Sequence, residues 1–212
     1  MDPHRDVARL LPEERIARQQ RLLALLLPIH DRARRTARRL CACAADGDDL
    51  FQEAVLRAFA HLPSLREEGR FGGWFYAVLL SVHRDRNRVS FWRRFLPLDR
   101  APAGVVDAGS QPPWSQVVAE QTRGRALRLT QALGRLPVEQ REAVVLFEVE
   151  EFSIEEIAEM QGVSQTAVKT RLRRGRQRLR RYYEELGLSD DGVEAAADAP
   201  PANRSAKEVC HG

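Results

Sequence analysis

Apolar residues recur at the three-and-four spacing of α-helices along most of this chain. The clearest stretches are residues 16–27, 50–59, 71–88 and 138–149. We find no stretch of alternating β-branched and polar residues bounded by turn signals, which would indicate a half-buried strand. The pattern therefore predicts an all-α fold.

Short polar segments mark where these helices should begin and end. We expect Asp46-Gly47-Asp48 to interrupt the helical pattern, with Asp48 or Asp49 capping the next helix. Pro137 is well placed near a helix start, where its fixed φ is favourable.

Changes in composition divide the chain into four parts. Residues 93–115 are rich in proline and show little periodicity, which predicts a linker. Residues 187–212 are rich in Asp, Ala, Pro and Gly, and too few large apolar groups remain there to offset the entropy of ordering. We therefore predict two small helical domains, 1–92 and 116–186, joined by that linker and followed by a disordered tail.

The strongest local signal is a helix-turn-helix pattern in the second domain. Ser153 and Glu156 form a capping box, and Gly162 ends the short helix that follows. Ser164 then caps a final helix that should reach about Glu185. The stripe expected to face the core of this domain is Val168, Leu172, Gly175 and Leu179.

Charge is segregated within this domain, although the chain as a whole carries only +4. Residues 164–181 contain eight Lys or Arg and no acid, whereas residues 139–159 contain eight acids and one base. A cationic helix with polar residues in its first turns is typical of a major-groove reader. The plainer alternative is a solvated amphipathic helix whose charge pairs with the acidic neighbour.

Several classes of protein are disfavoured by the sequence. The longest leucine-rich run, Leu22 to Leu27, is far shorter than the roughly 20 residues that span a bilayer. The N-terminus lacks the form of a signal peptide, and three cysteines cannot complete a disulfide framework. Common nucleotide-binding, hydrolase and metalloprotease motifs are absent as well. We expect a cytoplasmic protein that is not an enzyme and needs no cofactor or membrane insertion.

Five short motifs resemble one known family. Residues 136–142 (LPVEQRE), 152–158 (FSIEEIA) and 168–172 (VKTRL) resemble region 4 of bacterial sigma factors. Residues 46–53 (DGDDLFQE) and 71–76 (FGGWFY), the latter followed by Asp85-Arg86, resemble region 2. The chain is therefore similar to the extracytoplasmic-function group of the sigma-70 family.

This resemblance implies a dissociable subunit of RNA polymerase that directs promoter recognition and transcription initiation. Its partners would be core RNA polymerase, promoter DNA and an anti-sigma factor. The first domain would bind the polymerase clamp and melt the −10 element, and the second would read the −35 element. One departure from the family concerns the helix after Tyr76. Where the family carries Arg and Asn, this chain has Ala77, Leu80 and Ser81.

The resemblance, together with the cations near the aromatic cluster, assigns three sets of site residues. The polymerase-binding set is Asp49, Gln52, Glu53 and Leu56. The −10 set is His61, Ser64, Arg66, Arg70, Ser81, Arg84 and Arg88. The −35 set is Gln165, Thr166, Lys169, Thr170, Arg171, Arg173 and Arg174. We expect Trp74 and most of its aromatic neighbours to be buried rather than to form a stacking platform.

Two other functions remain open at this point. An autonomous helix-turn-helix regulator would carry a sensing pocket or a dimerisation helix in its first domain. A metal site or redox sensor could use Cys41, Cys43 and Cys210. We favour ordinary packing for Cys41, because it lies on the apolar stripe of its helix.

Overall fold

A computed structural model of the chain describes residues 11–93, 124 and 127–187, with the backbone alone for residues 89–93. Every regular element in these residues is helical, which confirms the all-α prediction. The predicted linker and tail lie outside the described residues, apart from residues 93 and 187 at their edges.

The first helical unit contains four α-helices joined by short turns. The helices are α1 Pro12–Leu26, α2 His30–Leu40, α3 Ala44–His61 and α4 Phe71–Arg93. A 3-10 turn at Leu27–Ile29 connects α1 to α2, and residues 41–43 connect α2 to α3. Two 3-10 turns, Leu62–Ser64 and Glu68–Arg70, lie between α3 and α4. The core of this unit is fully buried at Leu40, Leu50 and Phe75, where α2, α3 and α4 meet.

The second unit is built around the predicted helix-turn-helix. Residues 127–134 are helical. The helices that follow are α5 Val138–Val144, α6 Ile154–Gln161 and α7 Gln165–Glu185. Between α5 and α6 the chain continues through a wider π-helical turn, Val145–Val149. The Glu150 amide donates to the Val145 carbonyl at 3.2 Å, the five-residue hydrogen bond of that turn.

The predicted caps of the helix-turn-helix are confirmed. The Ser153 hydroxyl accepts from the Glu156 amide, while the Glu156 carboxylate accepts from the Ser153 amide. Gly162 ends α6 in the left-handed region with φ of 65°. Ser164 caps α7, and the stripe that begins with Val168 faces the core as expected.

The predicted break at Asp46-Gly47-Asp48 is wrong. These residues lie inside α3, and the chain breaks earlier, at residues 41–43. The N-cap is Cys43, whose sulfur accepts from the Asp46 amide, so Asp48 and Asp49 cap nothing. A Cβ built on Gly47 would lie 2.4 Å from the Arg38 Cα. Glycine is therefore present because α2 and α3 approach each other closely here.

Ion pairs reinforce this close approach between α2 and α3. The Asp48 carboxylate accepts from both Arg34 and Arg38 at 2.7 to 3.0 Å. These hydrogen bonds hold the pKa of Asp48 well below its usual range. The three side chains thus remain charged and paired at any pH above the usual range of an Asp carboxyl.

The two helical units pack against each other through one continuous apolar core. Helix α4 of the first unit lies against α6 of the second. At this boundary the Tyr76 and Phe152 rings are 4.9 Å apart between centroids in an edge-on contact. The described residues therefore form a closed arrangement in which α4 packs against helices of both units.

Replacing Gly47 by Ala should destabilise the protein by about 1–3 kcal/mol, because the new methyl group must displace the α2 backbone. Gly72→Ala is the matched control, since no atom lies within 4 Å of its Cβ position and Gly72 also lies in a helix. That change should be neutral or slightly stabilising. Urea unfolding followed by circular dichroism measures both, and equal stability of the two variants would contradict the close approach.

Candidate nucleic-acid and polymerase interfaces

The first turns of α7 direct polar side chains away from the core. Gln165, Thr166 and Lys169 are exposed, whereas Val168 and Leu172 are almost completely buried. Helical periodicity alone produces this separation, because the buried pair lies four residues apart on one stripe. The exposed side chains include donors and acceptors suited to base edges in a major groove.

The following turn of α7 adds exposed positive charge. Arg173 and Arg174 are both exposed and follow the polar residues toward the C-terminal half of the helix. Arginine remains charged at any physiological pH and can bind phosphate through two parallel hydrogen bonds. This part of α7 is suited to contact a phosphate backbone beside the groove.

Two members of the predicted −35 set are half-buried. Arg171 Nη1 donates to Gln161 Oε1 at 2.7 Å, which connects α7 to the end of α6. The Thr170 hydroxyl donates to the Thr166 carbonyl at 2.9 Å along the helix. The other five residues of the set are exposed: Gln165, Thr166, Lys169, Arg173 and Arg174.

The neighbouring Arg176 has a structural role in the second unit. Its guanidinium lies 2.6 Å from a Glu148 oxygen and over the Phe147 ring, 5.3 Å from the centroid. These contacts fasten α7 to the π-helical turn.

Part of the predicted −10 set lies on the segment between α3 and α4. Ser64, Arg66 and Arg70 are exposed there, and His61 is half-buried at the end of α3. The Ser64 hydroxyl donates to the His61 carbonyl at 2.7 Å, which tightens the turn. The structure therefore brings these residues together in one loop, with the two arginine side chains accessible.

A cavity of about 550 Å³ lies between this loop and α6. Arg66, Glu67, Arg70 and Trp74 line it from the first unit, while Glu156 and Glu159 line it from α6. The α6 wall is acidic, whereas the loop wall carries two cations and one acid.

The aromatic cluster at the start of α4 belongs mainly to the core. Phe71, Phe75 and Tyr76 are at most 3% exposed, as predicted. Trp74 is only half-buried and lines the cavity, so its predicted burial is wrong. Part of its side chain therefore lies at the cavity beside the loop.

The other members of the −10 set lie further along α4. Ser81 and Arg88 are exposed, and Arg88 Nη2 is 3.5 Å from Asp85. Arg84 Nε instead donates to Glu142 Oε2 at 3.0 Å across the boundary. In this arrangement Arg84 is occupied by the second unit.

The predicted polymerase-binding residues form an exposed stripe on α3. Asp49, Gln52 and Leu56 are exposed and lie three and four residues apart. Leu56 is 65% exposed and adds an apolar side chain to this polar stripe. Glu53 lies beside the stripe and is held by Arg86 at 2.7 Å. The arrangement is that of a polar surface with one apolar anchor, which suits a protein partner.

Sequence reasoning missed a buried carboxylate, Glu150, at the unit boundary. Glu150 is 2% exposed, and its Oε2 accepts from Arg32 Nε at 2.6 Å and from the Tyr76 hydroxyl at 2.9 Å. Thr36 donates to Oε1, and Arg39 Nη1 lies 3.7 Å from the same oxygen. We call these four side chains of α2 and α4 the socket.

A second missed carboxylate, Glu142, is fully buried nearby. Its oxygens accept from Arg84 Nε at 3.0 Å and from Gln161 Nε2 at 3.3 Å. His83 Nδ1 lies 3.0 Å from Glu142, and His83 Nε2 lies 3.1 Å from the Leu40 carbonyl. The excess of acids in residues 139–159 was the only signal in the sequence for either carboxylate.

Cys41 has the properties of a packed thiol. Burial, followed by the charge of Asp46, raises the pKa of the Cys41 thiol to about 11. A thiol that stays protonated is a poor nucleophile and a poor metal ligand. Among the described residues no cluster of three His, Cys, Asp or Glu is placed to hold a metal ion, and Cys210 lies outside them.

Two protein-family models match the two helical units in the order seen here. The model for Sigma-70 region 2 matches residues 26–90. The model for Sigma-70, region 4 matches residues 126–179.

Proteins similar to this chain in sequence include two ECF RNA polymerase sigma factors. SigE of Mycolicibacterium smegmatis, an ECF RNA polymerase sigma factor, is 36% identical over 156 residues, 72% of this chain and 57% of that protein. SigM of Mycobacterium tuberculosis, also an ECF RNA polymerase sigma factor, is 32% identical over 164 residues, 77% of this chain and 76% of that protein. The chain thus spans little more than half of the first relative and three quarters of the second.

Solved structures share the fold. The sigma factor RpoE of Bartonella quintana, in complex with the anti-sigma factor NepR, matches with a TM-score of 0.53 at 24% identity. That match covers 78% of this chain and 96% of RpoE. CnrH, in complex with the cytosolic domain of CnrY, matches with a TM-score of 0.56 at 22% identity over 87% of this chain and 99% of CnrH.

Among the described helices, none is both long enough and apolar enough to cross a membrane. The family matches, the SigM relative and the shared fold agree on one assignment. The chain belongs to the sigma-70 family, in the extracytoplasmic-function group of RNA polymerase sigma factors.

Proposed function

We propose that this protein directs core RNA polymerase to promoters that carry −10 and −35 elements and thereby initiates transcription. The observation that carries the proposal is the exposed polar and cationic face of α7 in a chain whose two units match regions 2 and 4 in order. The protein acts in the cytoplasm and performs no chemistry of its own.

The two DNA elements engage different surfaces in this proposal. Gln165, Thr166 and Lys169 reach base edges of the −35 duplex, while Arg173 and Arg174 bind its phosphates. The loop bearing Arg66 and Arg70 receives the unpaired −10 strand, a task suited to cations beside the half-buried Trp74, which lines the same cavity.

The partners are core polymerase and an anti-sigma factor. Polymerase binds the α3 stripe of Asp49, Gln52 and Leu56, where exposed polar and apolar groups lie side by side. An anti-sigma factor limits access to polymerase, in keeping with the complex in which the structural neighbour RpoE was solved with the anti-sigma factor NepR. The proposed working parts are the domains 1–92 and 116–186, with 93–115 linking them.

Run-off transcription with core polymerase and a promoter library tests this function directly. Adding the protein should produce transcripts from a defined subset of promoters that core enzyme alone does not start. Binding of DNA as a dimer, with no change in start sites when polymerase is present, would support an autonomous regulator instead.

The double change Arg173→Ala and Arg174→Ala should weaken binding to the −35 duplex. Each lost phosphate contact removes about one counterion from the salt dependence, so the slope of log K against log salt should fall by about two. Fluorescence anisotropy at several salt concentrations measures this slope. Arg35→Ala, an exposed arginine on α2, serves as the control and should leave the slope unchanged.

The double change Asp49→Ala and Leu56→Ala should lower the affinity for core polymerase at least tenfold, because it removes an anchor and a charge from one exposed stripe. Both side chains are exposed, so the free energy of unfolding should change little. Competition for labelled core enzyme gives the affinity, and Asp31→Ala on α2 is the control. Unchanged polymerase binding would rule out this stripe as the contact.

A further inference from the structure

We propose that Glu150 is an intramolecular lock that holds the two helical units closed, and that opening this lock limits how readily the protein engages both promoter elements at once. The gating part of this proposal rests on the function proposed above. The lock itself depends only on the contacts between the two units.

Glu150 lies in the second unit, but its carboxylate is hydrogen-bonded by side chains of the first unit. Its carboxylate lies in the socket, and Arg32, Thr36 and Tyr76 all donate to it. Among the described residues, no side chain of the second unit donates to this carboxylate. The hydrogen bonds to Glu150 therefore exist only while the two units are in contact.

Side chains next to Glu150 add further contacts between the two units. Arg32 also donates to the Glu150 backbone carbonyl, and its guanidinium lies 5.7 Å from the centroid of the Phe152 ring. Phe152 in turn meets the Tyr76 ring. Glu150 and Phe152, the neighbours of Glu151, thus both contact the first unit, Glu150 through its carboxylate and Phe152 through its ring.

A buried carboxylate paired with partly exposed arginines is suited to a reversible closure. Removing a carboxylate from water is costly, and its partners repay that cost only when their geometry is complete. When the units separate, water can solvate Glu150 and the socket arginines again, so the opened state carries no unpaired buried charge. The free energy that favours the closed state is consequently smaller than the number of contacts suggests.

The closed form is too small to serve both DNA elements. Elements named −10 and −35 lie about 25 base pairs apart, or roughly 85 Å at 3.4 Å per base pair. A compact protein of about 150 residues has a diameter of only roughly 40 Å. The loop with Arg66 and the exposed face of α7 must therefore move apart before both elements can be bound.

The test uses the full chain with Glu150→Gln, which keeps the size of the side chain and removes its charge. Glu148→Gln is the matched control, because the same change two residues away affects only the pair with Arg176 inside the second unit. Small-angle X-ray scattering gives the radius of gyration, and circular dichroism checks that the helices are intact.

We expect Glu150→Gln to increase the radius of gyration by several ångströms with unchanged helicity, while Glu148→Gln matches the wild type. A wild-type radius that is already extended, or no change in the Glu150→Gln variant, would overturn the lock. If Glu150→Gln loses helicity, Tyr76→Phe replaces it, since only the hydroxyl that donates to Glu150 is removed. That variant should expand the protein in the same direction by a smaller amount, and an unexpanded, folded Tyr76→Phe protein would count against the lock.

Promoter binding separates this inference from the proposed function. If the lock gates promoter engagement, core enzyme supplied with Glu150→Gln should bind a duplex carrying both elements roughly tenfold more tightly than with wild type or Glu148→Gln. An expanded variant with wild-type promoter affinity would refute the gating while leaving the lock. If no variant binds polymerase, the proposed function fails, and the scattering result still decides the lock.

Discussion

Carboxylates that enter an apolar boundary must find donors that replace water, and this constraint governs how the two units of the protein meet. Glu142 and Glu150 both come from the second unit, and arginine, tyrosine and threonine donors on α2 and α4 receive them. Apolar contacts such as Tyr76 with Phe152 could form in several registers. The carboxylates require specific partners at specific distances, so they select one register.

The surfaces left exposed by this arrangement differ in a way that matters for function. The polar start of α7 and the α3 stripe both face solvent. Arg84, by contrast, is occupied by Glu142, and the loop with Arg66 faces the acidic edge of α6. A closed molecule therefore leaves its proposed −35 face exposed, while part of its proposed −10 surface is engaged internally.

Local rules predicted those parts of the fold that depend on neighbours in sequence. Ser153, Gly162 and Ser164 define the helix-turn-helix because a cap or a positive φ needs only a few adjacent residues. The position of Gly47 was misread, because glycine also permits two helix backbones to touch, and that contact involves Arg38 on another helix.

The candidate site likewise contains residues that local sequence predicts and residues whose positions depend on distant partners. The exposed face of α7 could be anticipated from helical spacing, since burial of Val168 fixes what lies opposite. The half-buried position of Arg171 depends on Gln161 at the end of α6. The roles of Glu142 and Glu150 depend on residues about 60 to 120 positions away, which no periodicity in one segment reveals.

The arginine content of α7 has a chemical consequence for how the proposed DNA binding of this helix can be adjusted. Of the eight cations in residues 164–181, seven are arginine and one is Lys169. Guanidinium groups keep their proton throughout the physiological range and are not substrates for lysine acetylation. Acetyl transfer can thus neutralise a single position on this helix, and acidity can neutralise none, so its attraction for nucleic acid is nearly constant. Control of such a surface has to come from covering or moving it rather than from discharging it.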